Sequence, residues 1–251
     1  MGQLDTTEIK LKLDRAKEHL DRLRSESETR KSEEPYGFRS EKEDGPGNEI
    51  KVTVYAEVRR IPPPEWAPII GDAIQNMRNA LDYAVWGLSR SSKRSNRTAF
   101  PIYTDWCEYK VLSPPQISGV PAPHRAVIER EQPYHWKDGA DFHPLAVLKT
   151  LSNKDKHKTL IPLAIAYDIG FVSVTNAETQ FIFTAEGKPI KHNTPVLGFL
   201  ARPQDPALEM HVTPHVSFDE AIEGRALLST LDSIFRSVEW VIFQLKTTKT
   251  G

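Results

Sequence analysis

Residues 69–88, IIGDAIQNMRNALDYAVWGL, combine an apolar stripe with a polar row carrying an arginine, acids, asparagines and a tyrosine. Ile70, Ala73, Ile74, Met77, Ala80, Leu81, Ala84, Val85 and Leu88 recur at three- and four-residue steps, the spacing that lays side chains along one helical face. Asp72, Asn76, Asn79 and Tyr83 follow at i, i+4, i+7 and i+11 on a neighbouring row, while Arg78 and Asp82 border the apolar stripe on its other side. A helical arginine in such a place suits a phosphate. It equally suits an i,i+4 ion pair with Asp82, which contributes about 0.3–0.5 kcal/mol on an exposed face.

A second group of candidates lies downstream. Asn153, Lys154, Asp155, Lys156, His157 and Lys158 follow a predicted helix and precede the first β segment of the second half. Asp155 is placed to orient His157, whose ordinary pKa of about 6.5 suits proton transfer, and the lysines suit an anion. The same residues also fit a solvated, charged turn. If the segment reaches the 69–88 helix, Arg78 holds the phosphate and His157 moves the proton. Asp72, Asn76, Asn79, Lys156 and Lys158 then serve as binding residues. His143, before Pro144, reads as a helix cap. His135, Asp138, Asp141 and His143 include metal-ligating types, but their spacing matches no defensible site, so neither a metal nor a cofactor is expected. No phosphate-cradling glycine loop, HExxH or GxSxG is present. Arg90, Lys93, Arg94 and Arg97 form a basic loop that either meets phosphate or simply ends the helix.

The chain has 251 residues, 39% hydrophobic and 27% charged, which is ordinary for a globular protein with a core of its own. Thirty-three basic residues against 34 acidic give a formal charge of −1, excluding a broad attraction to nucleic acid or anionic membrane. No apolar run approaches the roughly 18–20 residues that span a bilayer, and the sequence is polar from Gln3 onward. A cytoplasmic setting is therefore expected, with no membrane partner. Cys107 is the single cysteine, which excludes an internal disulfide or a cysteine-based zinc site.

The periodicities predict a helix over 5–26, with Asp5 and Glu8 as its capping pair. A mobile charged linker is expected over 27–48, ending in Gly45-Pro46-Gly47, then a strand over 49–61 stopped by Pro62-Pro63-Pro64. Residues 89–141 read as irregular, and Pro144 opens a short helix. Strand segments at 160–166, 170–175, 180–184, 196–201 and 208–216, joined by short turns, imply an antiparallel meander. Ser217-Phe218-Asp219-Glu220 reads as a capping box for a long closing helix. The expected class is α+β, with long helices packed on an antiparallel sheet in a single domain over 1–251.

Arg78-Asn79-Ala80-Leu81-Asp82-Tyr83 resembles the R-x4-6-H motif of HEPN domains, with Tyr83 where the histidine would stand. The resemblance covers about one helix. It implies a metal-independent ribonuclease site in which arginine and histidine of paired protomers act on RNA. Tyrosine, with an ordinary pKa of about 10, is a poor base at neutral pH, so the motif is degenerate. GDAIQNMRNALDYAVW, FPI at 100–102 and HPLAVLKTLSNKDKHKTL at 143–160 together also resemble a group of bacterial, particularly actinobacterial, proteins to which no activity attaches. The expectation is a bacterial binding or interaction module, with a defence or stress role in view. Two alternatives stand beside it: a ribonuclease using Arg78 and His157 with Asp155 and Tyr83, and a homodimer formed through the long helices.

Overall fold

The computed structural model describes residues 4–157, 163–175, 178–184, 191–202, 207–218 and 225–249. The first helix, α1, runs Thr7–Lys31, beyond its expected end. Asp5 caps it, its Oδ1 accepting from the Thr7 N–H at 2.9 Å and the Thr7 hydroxyl at 2.8 Å. Ion pairs one turn apart, Arg15–Glu18 and Glu28–Lys31, line its wet side.

Residues 27–48 are not the expected flexible linker. They carry the end of α1 and the strand β1, Tyr36–Asp44, paired in register along its length with β2, Ile50–Val58. Cross-strand partners stabilise this polar strand: Arg39 lies over the ring of Tyr55, and Lys51 Nζ reaches Glu43 at 3.1 Å. The turn between them uses Gly47 at φ +68, a conformation glycine adopts without a Cβ clash. β2 buries Val52, Val54 and Ala56, as its alternation predicts.

The remaining strands are β3 Leu163–Thr175, β4 Thr179–Thr184, β5 Pro195–Ala201 and β6 Ala207–Phe218. Among the described residues all strand pairings are antiparallel. One sheet has the order β1-β2-β5-β4, and β3 pairs with β6 in a second. The class is α+β, and sequence neighbours pair at β1-β2 and β4-β5. Val52, Val54, Ala56, Val196, Leu197 and Phe199 are part of the buried core of the larger sheet, where Gly198 leaves room for the Phe183 ring. Ser217 does not open a helix. It lies in β6, paired with Ala164 of β3, and bridges to Ala226, while Asp219 and Glu220 lie outside the described residues.

The helical elements continue with α2 Trp66–Leu88, α3 Trp106–Leu112, α4 Pro114–Ile117, α5 Ala122–Arg130, α6 Pro144–His157 and α7 Leu227–Thr247. Residues 89–141 are thus more helical than expected. The chain divides into two compact units: Met1–Leu23, Ala67–Ile161 and Leu228–Gly251 form the first, and Arg24–Trp66 with Pro162–Leu227 the second. In the first unit α2 is the central element. Ile70, Ala73, Ile74, Met77, Ala80, Leu81, Ala84 and Val85 are all fully buried, a face whose burial stabilises by about 1.5–3 kcal/mol for each large side chain. No described helix is long and apolar enough to cross a membrane.

Candidate functional site

Arg78 leaves α2 beside its apolar face and is held from three directions. Its Nη2 donates to Asp82 Oδ1 at 2.9 Å and its Nε to Asp82 Oδ2 at 3.2 Å, forming a two-point ion pair within one helical turn. The same Nη2 donates to the Phe100 carbonyl at 2.7 Å, and the Phe100 N–H donates to Asp82 Oδ1 at 2.8 Å. The pair therefore satisfies both main-chain groups of a fully buried phenylalanine arriving from another part of the chain. With Arg78 at 14% and Asp82 at 27% side-chain exposure, this is a semi-buried clamp rather than a surface i,i+4 pair.

Gln132, itself 1% exposed, fastens the next residues. Its Nε2 donates to the carbonyls of Pro101 and Ile128, each at 2.9 Å, and its Oε1 accepts from the Tyr103 N–H at 3.0 Å. Residues 100–103 are thus pinned to α2 on one side and to α5 on the other. They form one wall of a cleft of about 250 Å³ lined by Arg78, Asp82, Tyr103, Gln116, Lys149 and Asn153, among others.

Lys149 comes from α6, with its ammonium 4.9 Å from the centre of the Tyr103 ring. Among the described residues no carboxylate pairs with it. The Tyr103 hydroxyl donates to Gln116 Oε1 at 3.2 Å. Burial raises the pKa of this tyrosine, the Glu108 carboxylate adds to the rise, and the Arg78 charge opposes it. Behind it, burial likewise raises Tyr109 and pushes Tyr134 up to about 12. All three remain protonated at neutral pH, available as hydrogen-bond donors and not as bases.

No family model matches the chain, and no curated protein or solved structure matches it either.

The expected site residues fall in different places. Asp155 does not line the Arg78 cleft and packs on α2 toward its start: it accepts from Gln75 Nε2 at 3.3 Å, and a Cβ on Gly71 would stand 2.6 Å from its Oδ1. Gly71 and Arg78 are seven residues apart, about 10 Å along the axis. Because Lys149 and Asn153 sit beside Arg78 while Asp155 sits beside Gly71, α6 runs antiparallel to α2. His157 closes α6 beyond Asp155. The side chains of Lys156 and His157, and Lys158 altogether, lie outside the described residues.

The row Asp72, Asn76, Asn79 and Tyr83 does not line the Arg78 cleft. Asn76 Nδ2 turns back to the Asp72 carbonyl at 2.8 Å, and Asn79 is half-buried. Burial lowers the pKa of His19 on α1, assisted by Arg15 and opposed by Asp72. Lys12, also on α1, lies 5.8 Å from the Tyr83 ring centre. This row accordingly borders α1. Tyr83 lines a second cleft that Arg78 does not line, although Asp82 borders both.

Other candidates have structural roles. Arg94 Nε donates to the Trp86 and Ser89 carbonyls at 3.1 and 3.2 Å, capping the end of α2. His143 Nδ1 accepts from the Leu145 N–H at 3.2 Å, the helix-capping role expected of it. Lys149, Tyr103, Gln116 and Gln132 were not singled out by sequence. The only signals were the FPI tripeptide and the helix containing Lys149, and neither carries a chemical motif.

Proposed function

We propose that the protein is a cytoplasmic binding module that captures a phosphate-bearing ligand, an RNA phosphate among them, in the cleft beside Arg78 without turning it over. The observation that carries this reading is Lys149, a cation without a carboxylate partner among the described residues, facing a polar cleft beside a fixed guanidinium. Asp82 offsets the Arg78 charge, so Lys149 supplies the surplus positive charge. Gln116, Asn153 and the outer edge of Arg78 add neutral and charged donors.

Binding is favoured over cleavage by the chemistry of the lining. Tyr103 stays protonated, and Asp82 is engaged by the clamp, so the described wall lacks a group ready to accept a 2′-hydroxyl proton. The HEPN-like motif becomes a scaffold that fixes the wall of the cleft. A single surplus charge with a few donors supports a dissociation constant on the order of 1 mM for inorganic phosphate, equivalent to about 4 kcal/mol.

The test is a phosphate titration followed by amide chemical shifts, with Lys149→Ala alongside. Saturable shifts at residues 100–103 and 149–153 that weaken about tenfold in the variant are expected, the loss of roughly 1.4 kcal/mol. Wild-type protein giving no saturable shift would overturn the reading. Labelled RNA incubated in EDTA should remain intact; cleavage lost on Arg78→Ala and His157→Ala would instead establish the ribonuclease.

A further inference from the structure

The second cleft lies between α1 and α2 and has the opposite chemistry. It measures about 680 Å³, within the range of roughly 300–1,000 Å³ usual for small-molecule sites. Its walls include the carboxylates Asp5, Glu8 and Asp82 and the rings of Tyr83 and Trp86, and no lining residue is basic. The two rings stand one helical turn apart on α2 and are 40% and 46% exposed, so their faces are open to a ligand.

Three observations determine which ligand fits. First, the end of α1, which would otherwise attract an anion, is already occupied by the chain's own Asp5 carboxylate. Second, Asp82 is offset by Arg78, but among the described residues neither Asp5 nor Glu8 has a cationic partner. Third, the chain itself sets a cation against each ring, Lys12 at 5.8 Å from the Tyr83 centroid and Arg94 at 5.1 Å from that of Trp86, neither of them lining the cleft. Carboxylates beside aromatic faces, in a space large enough for an aliphatic stem, fit a cation that is also partly apolar.

We propose that the cleft between α1 and α2 binds an organic ammonium ion, with its charge against Asp5 and Glu8 and its hydrocarbon portion against Tyr83 and Trp86. A small inorganic cation would use only the carboxylate and hydroxyl oxygens and leave the aromatic faces and most of the volume unfilled. An alkyl ammonium uses both wall types at once. The site shares Asp82 with the phosphate cleft but depends on none of that cleft's donors.

Isothermal titration with butane-1,4-diamine, against sodium chloride of equal ionic strength, tests the assignment on the full chain. The expected result is saturable one-site binding that weakens about fivefold in Glu8→Gln and at least as much in Trp86→Leu, the size of one exposed ion pair or cation–π contact. Both side chains are largely at the surface, so the variants should keep the wild-type circular dichroism and a cooperative melt. The phosphate titration should be unchanged in Glu8→Gln, which separates failure at this cleft from failure at the other. Absence of saturable diamine binding, or equal binding by wild type and both folded variants, would overturn the proposal.

Discussion

Replacing Asp82 tests whether the Arg78 clamp holds the fold together. An exposed i,i+4 ion pair would lose about 0.3–0.5 kcal/mol on substitution. Asp82, however, accepts from Arg78 Nε at 3.2 Å, from Arg78 Nη2 at 2.9 Å and from the Phe100 N–H at 2.8 Å. Asp82→Ala therefore leaves a guanidinium only 14% exposed without its counter-charge, and a main-chain N–H beside a fully buried ring without its acceptor. Orphaned bonds to charged groups cost about 1.5–3 kcal/mol each when buried, and loss of one partner of a buried pair costs about 3–5 kcal/mol. The 27% exposure of Asp82 lets water recover part of this, so the expected loss is about 2–3 kcal/mol. Asp82→Asn, which keeps an acceptor for Phe100, should lose about half as much. Urea unfolding followed by circular dichroism measures both, and Arg78→Ala with the double variant completes a cycle. The double variant should lose less than the sum of the singles, by about 1–2 kcal/mol. A loss near 0.5 kcal/mol for Asp82→Ala, with additive singles, would show that the contact to Phe100 carries no weight and that the pair is an ordinary surface one.

Two further outcomes follow from packing and burial. Gly71→Ala should gain about 1 kcal/mol of helix propensity only in an Asp155→Ala background, since a Cβ there would stand 2.6 Å from Asp155 Oδ1 in the wild type; chemical denaturation of the four proteins reads this, and an equal gain in both backgrounds would contradict the close approach. Burial holds the pKa values of His19, His124 and His143 below normal, so on acidification the unfolded chain takes up protons first. Stability should be full above about pH 7 and decline as pH falls through about 6.5, by calorimetric melting; a melting temperature unchanged from pH 7 to pH 5 would refute it.

How much of this was visible in the sequence depends on the range of each contact. The apolar row of α2 was legible residue by residue, because 3.6-residue periodicity and burial are two aspects of one face. The Arg78–Asp82 pair was legible for the same reason, being local. Its attachment to Phe100 was not: the partners lie 18 and 22 residues away and the receiving atoms are main chain, which sequence does not distinguish. Lys149 failed to stand out because one lysine on an amphipathic helix looks like any solvated residue until Tyr103 and Arg78 are set beside it. β1 was obscured by its charge, since YGFRSEKED has too few apolar residues to show a period of two and pairs through cross-strand partners instead. The helices α4 and α5 were hidden by prolines, which occupy their first turns, where a missing N–H costs nothing.

The double fastening of Phe100 also closes a ring in the chain. Residues 83–99 leave the clamp and return to it, and within that ring residues 90–97 are exposed. The two ends are fixed by Asp82 and Phe100 themselves, and the exposed stretch around the insertion point is closed by a local turn in which Ser95 and Thr98 bond each other. Doubling a flexible loop adds only about 0.6 kcal/mol of closure entropy. Extra residues placed between Asn96 and Arg97 would leave the Arg94 cap on α2 upstream and the anchor downstream untouched. This segment is accordingly a place where the protein can carry an affinity tag, a fluorophore or a grafted peptide.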